Sequence, residues 1–338
     1  MYIDNKQLNN YFSFWLGSMF WIISIMIIVG GLTRLTDSGL SITEWQLFSG
    51  FLPPLSEGDW ENYFNLYKEI PEFKLQNYSM TMNEFKIIFW WEWVHRFLGR
   101  LIGIFYLLPL IFFTIKFGFK SVKKLYFIFF LICFQGFVGW YMVSSGLIDK
   151  VNVSHYRLAL HLLIAFFIFS LILWDYLKLK NIDLYHKKLK FYLPLGFLIL
   201  IFCQITIGAF VSGLDAGTIY NSWPLMGSSY FPDDNSFSNI FTLASFNDPS
   251  LVQFVHRNLA YIIFIYYLIL VYKIYKNNLI RYFLIIKTIG IILLIQILLG
   301  ILTLLYSGQI YLPSMHQISS IFLVISSLYF LYLNSNTN

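Results

Sequence analysis

Long apolar runs alternate along the chain with shorter polar segments. Eight runs are long enough to cross a bilayer, because a transmembrane helix needs about 20 predominantly apolar residues. They lie at roughly 14–32, 86–113, 122–144, 155–177, 190–212, 251–273, 282–306 and 313–333. Apolar runs of this length are typical of membrane spans rather than of helices in soluble domains. The pattern predicts an all-α, polytopic membrane protein with eight transmembrane helices.

The composition excludes an ordinary soluble protein. Of the 338 residues, 58% are hydrophobic and only 12% are charged, whereas about 25% of a typical soluble domain is charged. The net charge of +6 does not indicate nucleic-acid binding, because the basic residues lie in particular loops between the runs. They follow the second and fourth runs and surround the junction of the sixth and seventh: Lys116, Lys120, Lys123, Lys124, Lys178, Lys180, Lys187, Lys188, Lys190, Lys273, Lys276, Arg281 and Lys287.

Basic loops of membrane proteins lie in the cytoplasm. We therefore predict that these loops, and with an even number of spans both termini, are cytoplasmic. The loops on the opposite side are long: the one from about 33 to 85 is acidic, and the one from 213 to 250 has no Lys or Arg. No cleavable signal or Arg-rich transit pattern precedes the first run. This favours a multi-pass protein of the bacterial inner (plasma) membrane.

Two further groups of side chains carry weaker expectations. Cys133 and Cys203 lie inside runs, where we expect small apolar fillers, and the outer loops offer no cysteine pair for a disulfide. The first outer loop is aromatic. Its aromatic side chains are interpreted as interfacial anchors, with cover for a cofactor edge or prenyl chain as the alternative: Trp60, Tyr63, Phe64 and Tyr67.

The two halves of the chain repeat each other at constant offsets. The matches are Gly30 with Gly208, Asp37 with Asp215 and Trp45 with Trp223 at 178 residues, His95 with His256, Gln135 with Gln296 and Gly139 with Gly300 at 161, and His161 with His316 at 155. Four spans per repeat give both halves the same orientation, which predicts two parallel-repeat four-helix bundles, 1–180 and 181–338. We interpret the repeated Gly, Asp and Trp residues at the outer ends of the first and fifth runs as turn-forming positions, and Gly99 and Gly103 as helix-packing positions.

Four of the six histidines lie one in each even-numbered run: His95, His161, His256 and His316. A lone intramembrane histidine is usually a satisfied core residue, but four at repeated positions indicate ligands. A single metal cluster is disfavoured because such sites usually add carboxylates or thiolates. Two histidines from different helices suit axial ligation of a haem iron. Of the remaining two, His155 precedes the fourth run, and His186 lies in a Lys-rich loop where we expect it to be solvated.

Arginines accompany these histidines. Arg96 and Arg257 directly follow one histidine in each half, and Arg100 and Arg157 lie nearby. Arginine forms bidentate pairs with carboxylates, so we interpret all four as cofactor-binding residues that contact haem propionates. Snorkelling toward lipid headgroups explains one arginine but not its repetition beside a histidine.

The halves differ beside the first histidine. Glu92 precedes His95 by three residues, and the matching position in the second half is Gln253. We therefore predict that the reaction takes place in the first half, with Glu92 relaying protons or stabilising a developing cation, and that the second half transfers electrons. The alternative is a structural ion pair between Glu92 and Arg96 at i,i+4. Two arginines also lack counterparts: Arg100 matches Tyr261, and Arg157 matches Leu312.

The combined motifs resemble the haem A synthase family, membrane oxidases that convert haem O to haem A. The segments that carry the resemblance are 30–45, 53–55, 92–96, 155–161 and 254–257. The long first loop is similar to the proteobacterial and mitochondrial branch. Some other members carry a cysteine pair in an outer loop, which this sequence lacks.

The resemblance implies that the C8 methyl of haem O is oxidised through hydroxylated intermediates to a formyl group, giving haem A for cytochrome oxidase. It assigns His95 and His161 to the substrate haem, with Glu92 at the reaction site. It assigns His256 and His316 to a resident haem b. Haem O synthase, cytochrome oxidase assembly factors and a quinone or other electron acceptor are the implied partners, and an oligomer is compatible with them.

Two other functions compete with this interpretation. A di-haem b-type electron-transfer protein explains the histidine pairs, but it does not need the difference between Glu92 and Gln253. A transporter built from parallel repeats predicts polar or broken helices at mid-membrane, whereas the polar groups here cluster at the outer ends of the runs.

Overall fold

The computed structural model describes residues 6–46, 49–147, 151, 153–180, 188–307 and 309–335, so His186 lies outside the described part. The ten α-helices found there are α1 Lys6–Leu35, α2 Glu57–Lys68, α3 Pro71–Leu75, α4 Met82–Phe117, α5 Phe119–Gly146, α6 His155–Leu179, α7 Tyr192–Gly213, α8 Pro249–Lys276, α9 Phe283–Leu305 and α10 Tyr311–Leu333. Short 3-10 helices lie at Ser49–Phe51, Ala216–Thr218, Phe237–Phe241, Leu243–Asn247 and Ile280–Tyr282.

Eight segments within these described helices are long and apolar enough to cross a membrane. They correspond one to one with the eight runs, and no strand occurs in the same residues. The prediction of an all-α, polytopic membrane protein is therefore confirmed. The first outer loop additionally contains the two short helices α2 and α3, which its polar sequence does not reveal by periodicity.

The chain forms two compact units, Met1–Ile172 and Leu173–Asn338, and the division between them falls inside α6. In the first unit α4 packs against α1, α5 and α2. In the second unit α7 packs against α8 and α10, and α10 packs against α9. In both units, therefore, a histidine-bearing helix packs against the preceding membrane-spanning helix.

Capping residues begin the helices that leave the long loops. Thr81 caps α4 in a capping box with Glu84, and Ser56 caps α2 in the same way with Asp59. Asp248 caps α8 by accepting from the backbone N–H of Leu251. Side-chain acceptors of this kind satisfy the free N–H groups of a first helical turn. They determine where α4 and α8 start, and hence how far along each helix its histidine lies.

Matching turns follow α1 and α7. Asp37 and Asp215 both adopt a left-handed backbone conformation, with φ of 48° and 50°. Asp is one of the few residues besides glycine that enters this conformation readily. The repeated aspartates are thus turn residues, as their sequence positions indicate.

Part of the first long loop and the start of α4 form a small apolar core, which we call the cap cluster: Leu40, Ile42, Phe64, Tyr67, Ile70, Phe85 and Phe89. Trp60 and Tyr63 pack against its outside. The expectation that the aromatic residues of this loop are interfacial anchors is therefore wrong for Phe64 and Tyr67, which are buried inside the cluster. Cys133 and Cys203 are not core fillers either, because both are exposed on the surfaces of their helices.

Candidate functional site

The four intramembrane histidines form two pairs with the same geometry. The ring centres of His95 on α4 and His161 on α6 lie 6.5 Å apart, with the ring planes at 78°. The ring centres of His256 on α8 and His316 on α10 are also 6.5 Å apart, at 75°. Two imidazoles on opposite sides of one metal ion, with metal–nitrogen bonds of about 2.0–2.1 Å, have ring centres about 6.4 Å apart. The spacing of each pair thus fits axial ligation of one iron.

A glycine on a neighbouring helix faces each of the four rings. A Cβ atom on Gly30 would lie 3.1 Å from His95 Nε2, and one on Gly139 would lie 2.9 Å from His161 Cε1. In the second unit a Cβ on Gly208 or Gly300 would lie 3.1 or 3.0 Å from the ring of His256 or His316. These four glycines leave space that any larger residue would take from an imidazole ring. The four glycines match between the halves because each one packs against an imidazole ring. The expectation that Gly30 and Gly208 form turns is wrong, because both lie inside helices.

Two of the ring nitrogens lack a protein partner. Nδ1 of His161 and Nδ1 of His256 are buried and make no hydrogen bond in the described part of the chain. Nδ1 of His316 lies 3.0 Å from the backbone carbonyl of Gln296. Buried polar atoms are nearly always satisfied, so the pairs have the capacity to take a ligand. The donor set of two imidazoles also fits a haem iron.

Glu92 is buried, with 2% of its surface exposed. Its Oε1 accepts from Arg96 Nε at 3.0 Å and Arg96 Nη2 at 2.7 Å. Its Oε2 accepts from the hydroxyl of Ser41 at 2.7 Å and the backbone N–H of Ile42 at 2.6 Å. The carboxylate therefore joins α4 to the first long loop, and the i,i+4 ion pair with Arg96 is present.

Arg96 and Arg257 both hold loop carbonyls. Arg96 donates from Nη2 to the carbonyl of Ile42 at 2.7 Å and from Nη1 to that of Glu44 at 3.0 Å. Arg257 makes the corresponding bonds at 3.0 Å to the residues 178 positions later, Tyr220 and Ser222. Both arginines were predicted to contact haem propionates. These N–H groups instead donate to backbone carbonyls of the long loop in the same unit.

Arg100 lies near the middle of α4, and Arg157 lies in the first turn of α6. Arg100 donates to the carbonyl of Gln46 at 2.8 Å and lies over the ring of Phe51. Arg157 lies over the ring of Tyr141, 4.4 Å from its centre, and donates to Ser145. Both guanidinium groups are only partly buried. The first unit therefore has two cations near its histidine pair that the second unit replaces with Tyr261 and Leu312.

The second unit also lacks the acid. Gln253 is as buried as Glu92, at 2% exposure, and its Nε2 donates to the carbonyl of Tyr220 at 3.1 Å. Within the described residues its Oε1 and Nε of Arg257 have no hydrogen-bond partner. The amide thus keeps the link to the loop, but the ion pair is lost. The folded protein therefore has a buried acid beside the first histidine pair and a neutral amide at the same position beside the second.

A small open pocket lies between α4 and the first long loop in the first unit. Its lining combines aromatic and cationic side chains with the loop: Ile42, Glu44, Gln46, Gly50, Leu52, Tyr63, Phe89, Trp93, Arg96 and Arg100. Tyr63 is one of the loop residues for which cover of a cofactor edge was the alternative interpretation, whereas Trp93 was not assigned to a site from the sequence.

A second buried carboxylate, that of Glu72, lies on α3 in the first long loop, outside the spans. Glu72 is 3% exposed and accepts from the hydroxyl of Tyr67 at 2.9 Å, while Asn77 donates to that hydroxyl oxygen at 2.8 Å. Burial raises the pKa of Glu72 to about 7. Burial also raises the pKa of Tyr67. Sequence analysis missed this group, since nothing in the sequence distinguishes Glu72 from the exposed acids around it.

Other metal-binding arrangements are not found in the described residues, where no three His, Cys, Asp or Glu side chains converge. His155 stacks on Tyr156, with ring centres 4.1 Å apart. The pairs of imidazoles are thus the only sites there that resemble iron ligation, and each lies within one unit.

Comparison with known proteins identifies the family. A family model described as cytochrome oxidase assembly protein, COX15-CtaA, matches residues 13–328. The chain is 48% identical over 341 residues to the heme A synthase of Pelagibacter ubique, with all of both chains covered. The chain belongs to the haem A synthase family. The resemblance drawn from the sequence motifs is thereby confirmed.

More distant haem A synthases agree. The heme A synthases of Rickettsia felis and of Rickettsia bellii are each 44% identical to this chain, over 322 and 317 residues. Both alignments cover 92% of this chain and 94% of the relative. The alignment with the Pelagibacter ubique protein covers the whole chain, and therefore the segments that contain both histidine pairs and both long loops.

Proposed function

We propose that the protein oxidises a methyl group of haem O to a formyl group and so produces haem A for cytochrome oxidase. Family membership supports this reaction. The observation that carries the assignment to residues is the pair of equal histidine sites, each with a 6.5 Å ring spacing, of which only one has a carboxylate beside it.

The N-terminal pair, His95 and His161, holds haem O as the substrate. The C-terminal pair, His256 and His316, holds a resident haem b, which supplies one-electron transfer when bound. With water as the oxygen source, conversion of a methyl to a formyl group releases four electrons and four protons. His256 and His316 would hold the haem that supplies one-electron transfer, and an acceptor such as a quinone would take up the electrons.

Glu92 provides negative charge beside the reacting substrate. Arg96, Ser41 and Ile42 fix both carboxylate oxygens, so the charge is oriented before the substrate arrives. A fixed charge in a site that excludes water stabilises an opposite charge that develops during reaction. The cap cluster covers this end of α4 and limits access of water.

Arg100 and Arg157 receive the haem O propionates. Both lie on histidine-bearing helices, Arg100 against the loop carbonyl of Gln46 and Arg157 in the first turn of α6, and neither has a basic counterpart in the second unit. Arg96 and Arg257 contribute indirectly by holding the turns that close over the histidines. Bidentate arginine contacts orient a carboxylate ligand, so the first two arginines determine which edge of haem O faces Glu92.

The protein lies in the bacterial inner membrane, with its basic loops and termini in the cytoplasm and the histidine sites near the outer face. The matching bonds of Arg96 and Arg257 to carbonyls at the same offset support an internal repeat of the sequence. Haem O synthase, cytochrome oxidase assembly factors and further copies of the chain are the partners expected of this location.

Co-expression with a haem O synthase in a host without haem A tests the function. Extracted pigments are separated by reverse-phase chromatography and identified by mass. Haem A is expected with the wild-type chain, and haem O alone with Glu92→Gln. A protein that binds two haems but produces no haem A is instead a di-haem electron carrier. A protein without any Soret band contradicts both functions.

A further inference from the structure

Two glycines follow His95 on α4. Gly99 and Gly103 come four and eight residues after it, so they lie on the same face of the helix, about 6 Å and 12 Å further along its axis. The same stripe continues to Tyr106 and Leu110, which are both fully buried. The two glycines therefore face the interior of the first unit and lead from His95 toward the middle of the span.

Close packing of helices does not explain these glycines. A Cβ atom on Gly103 would meet no side chain and no other helix of the described chain within 4 Å. One on Gly99 would lie 3.6 Å from Cε of Met26, which is an ordinary contact with the end of a flexible side chain. The prediction that both are helix-packing positions is therefore wrong. Because glycine is a poor helix former, its use at both positions has another cause.

The two units can be compared position by position at this depth. The hydroxyl of Tyr106 donates to the backbone carbonyl of Leu125 at 3.1 Å. The hydroxyl of Tyr267 donates to the carbonyl of Ile286, also at 3.1 Å. Both members of the second bond lie 161 residues after those of the first, so the offset that relates His95 to His256 still holds two to three turns further along the helices.

The second unit carries larger residues at the positions of the two glycines. At the 161-residue offset Gly99 corresponds to Ala260, and Gly103 corresponds to Phe264. The ring of Phe264 lies beside that of Tyr267, with ring centres 6.4 Å apart. A phenyl group thus occupies a position in the second unit that is left open in the first.

The open face of α4 adjoins a site that already indicates a ligand. The rings of His95 and His161 have the spacing of axial iron ligands, and Nδ1 of His161 is buried without a hydrogen-bond partner in the described chain. Under the proposed function this pair holds haem O, and the C-terminal pair holds haem b. Haem O differs from haem b in carrying a hydroxyethylfarnesyl group in place of one vinyl group. The N-terminal pair therefore has to accommodate a chain that the C-terminal pair does not.

The chemistry of this chain fits the open face. A farnesyl chain is long, branched and apolar, and it leaves the haem at the edge opposite the propionates. With the propionates at Arg100 and Arg157, the chain is directed away from the loops and toward the middle of the membrane. Helix backbone without side chains leaves room for it there, whereas a phenyl group would exclude it.

We propose that Gly99 and Gly103 form a groove on α4 that receives the farnesyl chain of haem O, and that Ala260 and Phe264 close the corresponding groove at the C-terminal pair. This inference rests on the proposed function. It goes beyond that function because it names the residues that select a haem with a farnesyl chain for the N-terminal pair.

The test is a titration of the purified full-length protein, with its resident haem b in place, with haem O and separately with added haem b, followed in the Soret band. Gly103→Phe introduces the residue of the matching position. It is expected to weaken the binding of haem O by about tenfold or more and to leave the weaker binding of added haem b unchanged. Ile104→Phe is the matched control, because it places the same ring on the opposite side of α4, where Ile104 is 46% exposed. It is expected to leave both affinities at their wild-type values.

A second variant covers the case in which Gly103→Phe does not accumulate. The methyl group of Gly103→Ala fits without a close contact, so this variant is expected to fold and to bind haem O less tightly by a smaller factor. Wild-type haem O affinity in Gly103→Phe, or in Gly103→Ala where only that variant accumulates, overturns the inference. An equal loss of affinity for both haems also overturns it, because the residue would then act on the macrocycle and not on the chain. Haem O binding that persists unchanged in His161→Ala overturns the proposed function, and this inference with it.

Discussion

Replacement of Gly139 by alanine tests whether the repeated glycines make room for the imidazole ligands. The new Cβ would lie 2.9 Å from Cε1 and 3.5 Å from Nδ1 of His161, whereas ordinary contacts begin at 3.4 Å. Both groups sit on helices, so the ring has to move by about half an ångström or the helices have to separate. Overpacking of this kind is unfavourable by about 1–3 kcal/mol. Ligand–metal distances tolerate only about 0.2 Å, so the strain falls on haem binding.

The expected result is a loss of haem O affinity at the N-terminal pair. At 1.4 kcal/mol per tenfold change, 1–3 kcal/mol corresponds to about 5- to 150-fold weaker binding. The assay is a titration of the purified protein with haem O, followed in the Soret band. Gly136→Ala is the control, because it lies on the same helix and its Cβ would meet nothing within 4 Å. Equal affinity in Gly139→Ala and Gly136→Ala would refute the proposed role of the glycine.

Three further predictions concern Glu92, Glu72 and the turn at Asp215. Glu92→Gln is expected to reduce the rate of haem A formation by about 10²-fold or more while haem O still binds, and an unchanged rate in a single-turnover assay would contradict its role. Burial raises the pKa of Glu72 from 4.5 to about 7, so the folded first loop binds the proton of Glu72 more tightly than the unfolded loop. The folded loop therefore loses stability as the pH rises between these values, by about 3 kcal/mol in total. Glu72→Gln is expected to remove this loss, measured as amide hydrogen exchange of α2 at pH 5 and 8, and an identical pH dependence in the variant would be contrary evidence. Asp215→Gly is expected to be tolerated and Asp215→Val to be destabilising by about 1–3 kcal/mol, because glycine enters φ of 50° freely and β-branched valine does not. Equal thermal stability of the two variants would argue against this explanation.

The spans and the repeated histidines could be predicted because each corresponds to a regular pattern in the sequence. Apolar runs determine the spans, and the constant offsets between the halves show that each half carries one set of two histidines. The same offsets show the replacement of Glu92 by Gln253.

The loops could not be predicted in the same way. Nothing local indicates that Ser41 and Ile42 bind Glu92, since the contact joins segments about 50 residues apart and depends on how the loop folds back. For the same reason the aromatic side chains of the first loop were assigned to the interface, although Phe64 and Tyr67 lie in the cap cluster. The composition of a loop therefore does not predict which of its side chains are buried against other parts of the protein.

The central claim is that each histidine pair holds one haem and that the two haems have different roles. The most direct measurement is the identity and amount of haem extracted from purified His161→Ala and His316→Ala variants, each supplied with haem O. The account predicts that His161→Ala retains haem b and yields no haem A, whereas His316→Ala loses haem b and retains unreacted haem O. Full haem b content together with haem A production in His316→Ala would contradict it.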